Sequence, residues 1–191
     1  MNTFVNLKVF NKFPVLESER LLFRKFEKKD APALYAIRSN QKVMQYMDTI
    51  IQTDISDAIR LIKSNQDDFK TKTGINWAIV LKSNQQLIGS FSFWRLILKH
   101  CRAEIGYSID NKYWGNGIMS ETFNSLIPFG FDTLGLHSIE ANVNPDNQRS
   151  IGLLEKFGFR REAYFRENYL YKNTYLDSLI FSLLEGELKK I

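Results

Sequence analysis

Apolar positions along this chain follow two periods, and the changes between them mark its elements. Residues 21–26 are apolar enough for a strand. In 30–39, Pro32 stands near the start and Ala33, Leu34 and Ile37 fall at helical spacing, which predicts a first helix; a second is predicted over 54–72. The period then shortens. Residues 75–81, 87–98 and 102–110 are rich in β-branched and aromatic side chains and are parted by turn-like 82–86 and 99–101, predicting three consecutive antiparallel strands. Helical spacing returns over 116–131, with Met119, Phe123, Leu126 and Ile127 on one face and Pro128 set to kink or end the helix. In 137–143, Ile139, Ala141 and Val143 alternate with Glu140 and Asn142, the mark of a strand with one buried face. Asn144 and Pro145 predict the cap and first position of a short helix that Gly158 stops, and 159–184 holds two further strands.

This order predicts one α/β (α+β) domain, a mixed, mostly antiparallel sheet of six or seven strands with helices on both faces. No repeat or linker rich in Pro, Gly and Ser interrupts the 191 residues, so a single domain over 16–191 is expected behind a loose lead, 1–15. One cysteine, Cys101, and two histidines exclude an internal disulfide and the usual Cys/His zinc site, which points to a reducing compartment and no metal. No signal-like or bilayer-length apolar run is present, so the cytoplasm is the expected location and no membrane contact is expected. The net charge of +5 suits an anionic partner, but Lys and Arg are interleaved with acids, without a basic tract. A phosphorylated small molecule satisfies that charge as well as nucleic acid does, and nucleic acid is not expected.

Candidate chemistry concentrates in 105–121, IGYSIDNKYWGNGIMSE, where a strand passes through a polar turn into a glycine-bearing loop that opens a helix. Gly115 and Gly117 allow close approach of the backbone, and the first N–H groups of the helix are anion donors. Two readings stand at this point, a tight turn and a pyrophosphate site. The loop is neither a Walker loop nor a three-glycine dinucleotide fingerprint.

Residues 109–119 resemble the acetyl-CoA loop of the GNAT N-acetyltransferases, Gln/Arg-x-x-Gly-x-Gly/Ala, which here runs Trp114-Gly115-Asn116-Gly117-Ile118-Met119. Trp114 replaces Gln or Arg and Met119 the last small residue. These departures are similar to the ribosomal-protein N-terminal (alanine) acetyltransferase branch, where Tyr-Trp-Gly-x-Gly is frequent. A second block, 144–159, is similar to that branch's Pro-x-Asn-x-x-Ser and Glu-Lys-x-Gly-Phe, and 16–24, LESERLLFR, resembles its first strand. The likeness covers about residues 16–186.

The resemblance implies an acetyl-CoA-dependent N-acetyltransferase in which N–H groups of Asn116, Gly117, Ile118 and Met119 hold the pyrophosphate and the backbone of Ile109 pairs with the pantetheine arm. Asn147 then bonds a pantetheine amide or simply caps its helix. Ser150, three residues on and on the same helix face, is a candidate proton donor to the leaving thiolate. Glu140 and Glu104, carboxylates on central strands, are candidate general bases, each with an ion pair as the competing explanation. Phe91, Phe93 and Trp94 are expected in the core, and Met44, Tyr46 and Met47 in the core or at the acceptor pocket. The acceptor is a protein or peptide N-terminus or a small amine such as a polyamine, amino acid or antibiotic. A non-catalytic acyl-CoA sensor remains a reading from another class, and monomer and homodimer stand equal.

Overall fold

The computed structural model describes residues 4–189. Its strands are β1 (Leu16–Glu17), β2 (Leu21–Arg24), β3 (Ile75–Leu81), β4 (Leu87–Ile97), β5 (Arg102–Ile109), β6 (Ser138–Val143), β7 (Arg160–Tyr171) and β8 (Thr174–Leu184). They form one mixed sheet in the order β1-β2-β3-β4-β5-β6-β8-β7. All neighbours are antiparallel except β5 and β6. The sheet has eight strands where six or seven were expected. The addition is β1, whose two residues pair with Leu22 and Phe23 and are too few to show a period.

The helices are α1 (Ala31–Arg38), α2 (Gln41–Met44), α3 (Ile55–Thr71), α4 (Ile118–Pro128) and α5 (Gln148–Lys156). Helices α1 and α3 cover one sheet face, where Ala78 and Val80 meet Leu34, Ile37, Ala58 and Ile62. Helices α4 and α5 cover the other, where Phe123, Leu126 and Leu154 meet Phe91, Ile105 and Ile139. Helix α3 opens with a reciprocal cap between Asp54 and Asp57, and α4 ends at Pro128, which passes into a π turn, Phe129–Thr133.

Trp77 lies fully buried among Phe13, Phe91, Phe93 and Phe129, mostly edge to face. Phe91 and Phe93 share that face, but Trp94 points the other way and is partly exposed with the Arg95 guanidinium stacked on it, a correction to its expected place in the core. Alternation along a strand sends the adjacent Phe93 and Trp94 to opposite faces. The N-terminal segment is pinned to the core: Val5 is buried, Asn6 N–H donates to Leu134 C=O (2.8 Å), and the Trp77 indole donates to Pro14 C=O (2.8 Å). On the α1 side, Arg24 and Asp30 form a bidentate pair at 2.7 and 2.8 Å, with Asp30 Oδ2 also accepting the Glu27 N–H. No helix among the described residues is long and apolar enough to cross a membrane.

Candidate active site

Strands β5 and β6 pair only at Arg102↔Ser138, Ala103↔Ile139 and Glu104↔Glu140. Beyond that point β5 stays with β4 as far as Gly89↔Ile109, while β6 follows β8. A wedge therefore opens between two strands of one sheet, leaving the β6-facing backbone of 105–109 without a strand partner. The N-termini of α4 and α5 both lie at its mouth, and the wedge holds a cavity of about 940 Å³. Tyr107, Ser108 and Ile109 line it from β5, Trp114, Gly115 and Gly117 to Ser120 from the loop and α4, and Asn147 to Ser150 from α5, whereas Asn116 is not part of the lining; Val43, Tyr46 and Met47 close it from the α2 side.

The loop before α4 turns on Gly115 (φ +78°) and Gly117 (φ +73°), both in the left-handed region where a side chain is strained. Space does not impose these glycines, since a Cβ on Gly115 would touch nothing. The first helical bond runs from Glu121 N–H to Gly117 C=O (3.0 Å). The N–H groups of Gly117, Ile118, Met119 and Ser120 thus precede the hydrogen-bonded ladder, and the capping residue, a glycine, brings no side chain to satisfy them. Together with the helix dipole they form an anion site facing the cavity.

Trp114 walls this cleft. Its indole N–H donates to Ile109 C=O (3.1 Å), and the Arg149 guanidinium of α5 lies 4.4 Å above the ring. One lone pair of the Ile109 carbonyl is thereby taken and the other stays free.

The start of α5 lies three residues later than expected. Asn144 Oδ1 accepts from Asp146 N–H (2.9 Å) and Asn144 C=O from Asn147 N–H (2.9 Å), a turn with Pro145 inside it. Asn147 is the cap, its Oδ1 accepting from Ser150 N–H (3.2 Å), and it lines the cavity while capping. Ser150 Oγ lies 2.5 Å from the Tyr107 hydroxyl, a partner that sequence reasoning missed. Burial pushes the Tyr107 phenol up, outweighing the Ser150 hydrogen bond, so it stays neutral. The alternation that put Ala103 and Ile105 toward the helices was the available signal for Tyr107.

The wedge does not bring Glu104 and Glu140 to this cavity. They sit side by side at its closed end, Glu104 paired with Arg95 (3.0 Å) and Glu140 with Arg102 (3.0 Å). Burial raises the Glu104 carboxyl, opposed by Arg95 and reinforced by Glu140. The competing explanation, an ion pair, describes both residues.

Residues 20–160 match the family model described as an acetyltransferase (GNAT) domain. The chain is 38% identical to the uncharacterized N-acetyltransferase YoaA of Bacillus subtilis over 91% of its own length and 98% of that protein. It is 32% identical to the ribosomal protein uS5-alanine N-acetyltransferase of Escherichia coli over 52% of each chain. A GNAT-family acetyltransferase structure from Bacillus anthracis superposes with a TM-score of 0.80 at 30% identity, covering 90% of this chain and 98% of that one.

Proposed function

We propose that this chain, which belongs to the GNAT acetyltransferase family and is an acetyl-CoA-dependent N-acetyltransferase, takes the N-terminal α-amine of a protein or peptide as its acceptor. The wedge between β5 and β6 carries the donor half of this reading. A pyrophosphate suits the uncapped N–H groups at the start of α4, from Gly117 to Ser120, with Gly115 giving the loop its turn and Trp114 walling the cleft. An extended pantetheine arm suits the unpartnered edge of β5 as far as Ile109, where it meets backbone donors and acceptors as an added strand would. The Asn147 carboxamide stands where it can bond a pantetheine amide.

Two observations support the acceptor half. The relative named for alanine of ribosomal protein uS5 is 32% identical to this chain over an aligned stretch of 100 residues. Moreover, neither Glu104 nor Glu140 reaches the cavity. An α-amine with a pKa near 8 is about one-tenth neutral at pH 7, whereas a lysine amine near 10.4 is roughly 250-fold scarcer in its neutral form and needs a base. The N-terminal amine, which needs less help from a base, therefore suits a cavity whose lining carries one carboxylate, the exposed Asp146.

In the reaction the neutral amine attacks the thioester carbonyl, the C–N bond forms and the C–S bond breaks. Ser150 gives its hydroxyl proton to the departing sulfur, and the proton lost by the amine returns to Ser150 through water. The site thus ends as it began, without an acyl-enzyme. Ser150→Ala is expected to lower kcat about 100-fold or more, with the calorimetric Kd for acetyl-CoA unchanged. A kcat equal to wild type would remove Ser150 from the mechanism.

The acceptor is tested by thiol release from acetyl-CoA against peptides beginning with Ala, Ser or Thr, an N-terminally blocked lysine peptide, and polyamines. Turnover confined to free peptide N-termini is expected. Turnover on polyamines alone would replace this reading with a small-amine acetyltransferase, an activity that the family also accommodates.

A further inference from the structure

Two blocks far apart in the sequence meet at the glycine loop. Glu121, in the first turn of α4, accepts from Ser18 Oγ (2.6 Å) and Arg20 N–H (2.8 Å) at Oε1 and from Arg20 Nε (2.6 Å) at Oε2. Partial burial pushes the Glu121 carboxyl up, but these hydrogen bonds outweigh it and hold the group below the ordinary range. It is therefore fully charged at neutral pH. The same Arg20 guanidinium reaches on through Nη1 to Asn116 C=O (3.1 Å).

Two consequences follow. In a trans peptide the carbonyl of Asn116 and the N–H of Gly117 point opposite ways. Holding that carbonyl toward β2 turns the Gly117 N–H away from β2, and Gly117 lines the cavity. A carboxylate in the first turn of α4 would also repel an anion at the helix start, and the paired guanidinium cancels that charge.

We infer that Arg20 is a positioning residue for the pyrophosphate subsite: clamped on Glu121, it fixes the glycine loop in its donor-out conformation and neutralises the one acid of the helix's first turn. This rests on the reading above that the loop holds the pyrophosphate of acetyl-CoA. Arg20 is half-exposed and lies outside the core, so its removal spares the fold.

The test compares dissociation constants of acetyl-CoA and of S-acetylpantetheine, which lacks the pyrophosphate, for wild type, Arg20→Ala and Arg20→Lys. Wild type is expected to prefer acetyl-CoA strongly. Arg20→Ala should weaken acetyl-CoA about tenfold or more and leave S-acetylpantetheine unchanged, since only the loop contacts are lost. Lysine keeps the charge but cannot hold Glu121 and Asn116 together, so Arg20→Lys should fall between the two. Unchanged acetyl-CoA binding in Arg20→Ala, or equal weakening of both ligands, overturns the inference. Equal binding of both ligands by wild type would instead show that the loop does not hold the pyrophosphate, and the inference would fall with that reading.

Discussion

A Gly117→Val variant is expected to bind acetyl-CoA about 100-fold more weakly than wild type, with its far-UV circular dichroism unchanged. Gly117 caps α4 at φ +73°, ψ 2°, a conformation that a β-branched residue adopts only under strain. Relief of that strain rotates the peptides on either side, and the N–H groups that converge on the anion site no longer converge. The local space is permissive, because a Cβ there would stand 3.7 Å from the Arg20 guanidinium. Conformation, not collision, sets the effect. Titration calorimetry with acetyl-CoA measures it, and wild-type affinity in the variant would mean that the loop is only a turn.

The second large effect falls on stability. Asp30→Ala should cost about 3–5 kcal/mol and lower Tm by roughly 6–20 °C, taking about 2–4 °C per kcal/mol for a chain of this size. Arg24, 9% exposed, would then have lost its two charge-assisted bonds to Asp30 and kept only the bond from Nη1 to Lys25 C=O (3.0 Å). The distant Glu27 contact at 4.0 Å does not replace them. If the cost is the stranded charge and not the lost volume, an Arg24→Met/Asp30→Leu double variant recovers most of it. Differential scanning calorimetry on the three proteins decides between the two. The pair joins the entry of α1 to the end of β2, so its loss also loosens the helix layer that carries α2 to the cavity.

Strands with an uninterrupted pattern were legible. The β3 boundaries, Ile75–Leu81, are those that periodicity predicts, since both ends meet turn-forming residues. Boundaries that depend on competing hydrogen bonds were not. Asn144 and Asn147 are equally good caps by composition, and only the turn closed by the Asn144 side chain shows that α5 begins after the second. The glycine loop that opens α4 was visible because glycine spacing is local. Its clamp was invisible, because Arg20 and Glu121 stand 101 residues apart and nothing in either neighbourhood names the other.

The candidate bases show the same limit. Glu104 and Glu140 drew attention as carboxylates on central strands, but the sequence does not say where two parallel strands part. They part just beyond Glu104, which leaves both acids in the closed end and brings Tyr107 to Ser150 in the open one.

The most direct measurement uses a single acceptor that offers both kinds of amine. A peptide beginning with Ala and carrying one internal Lys is incubated with acetyl-CoA and the protein near pH 7, and the acetylated residue is located by fragment-ion mass spectrometry. The account predicts acetyl on the N-terminal nitrogen, in step with thiol release, and none on the lysine above the enzyme-free control. Acetylation of the lysine in preference to the N-terminus would contradict it.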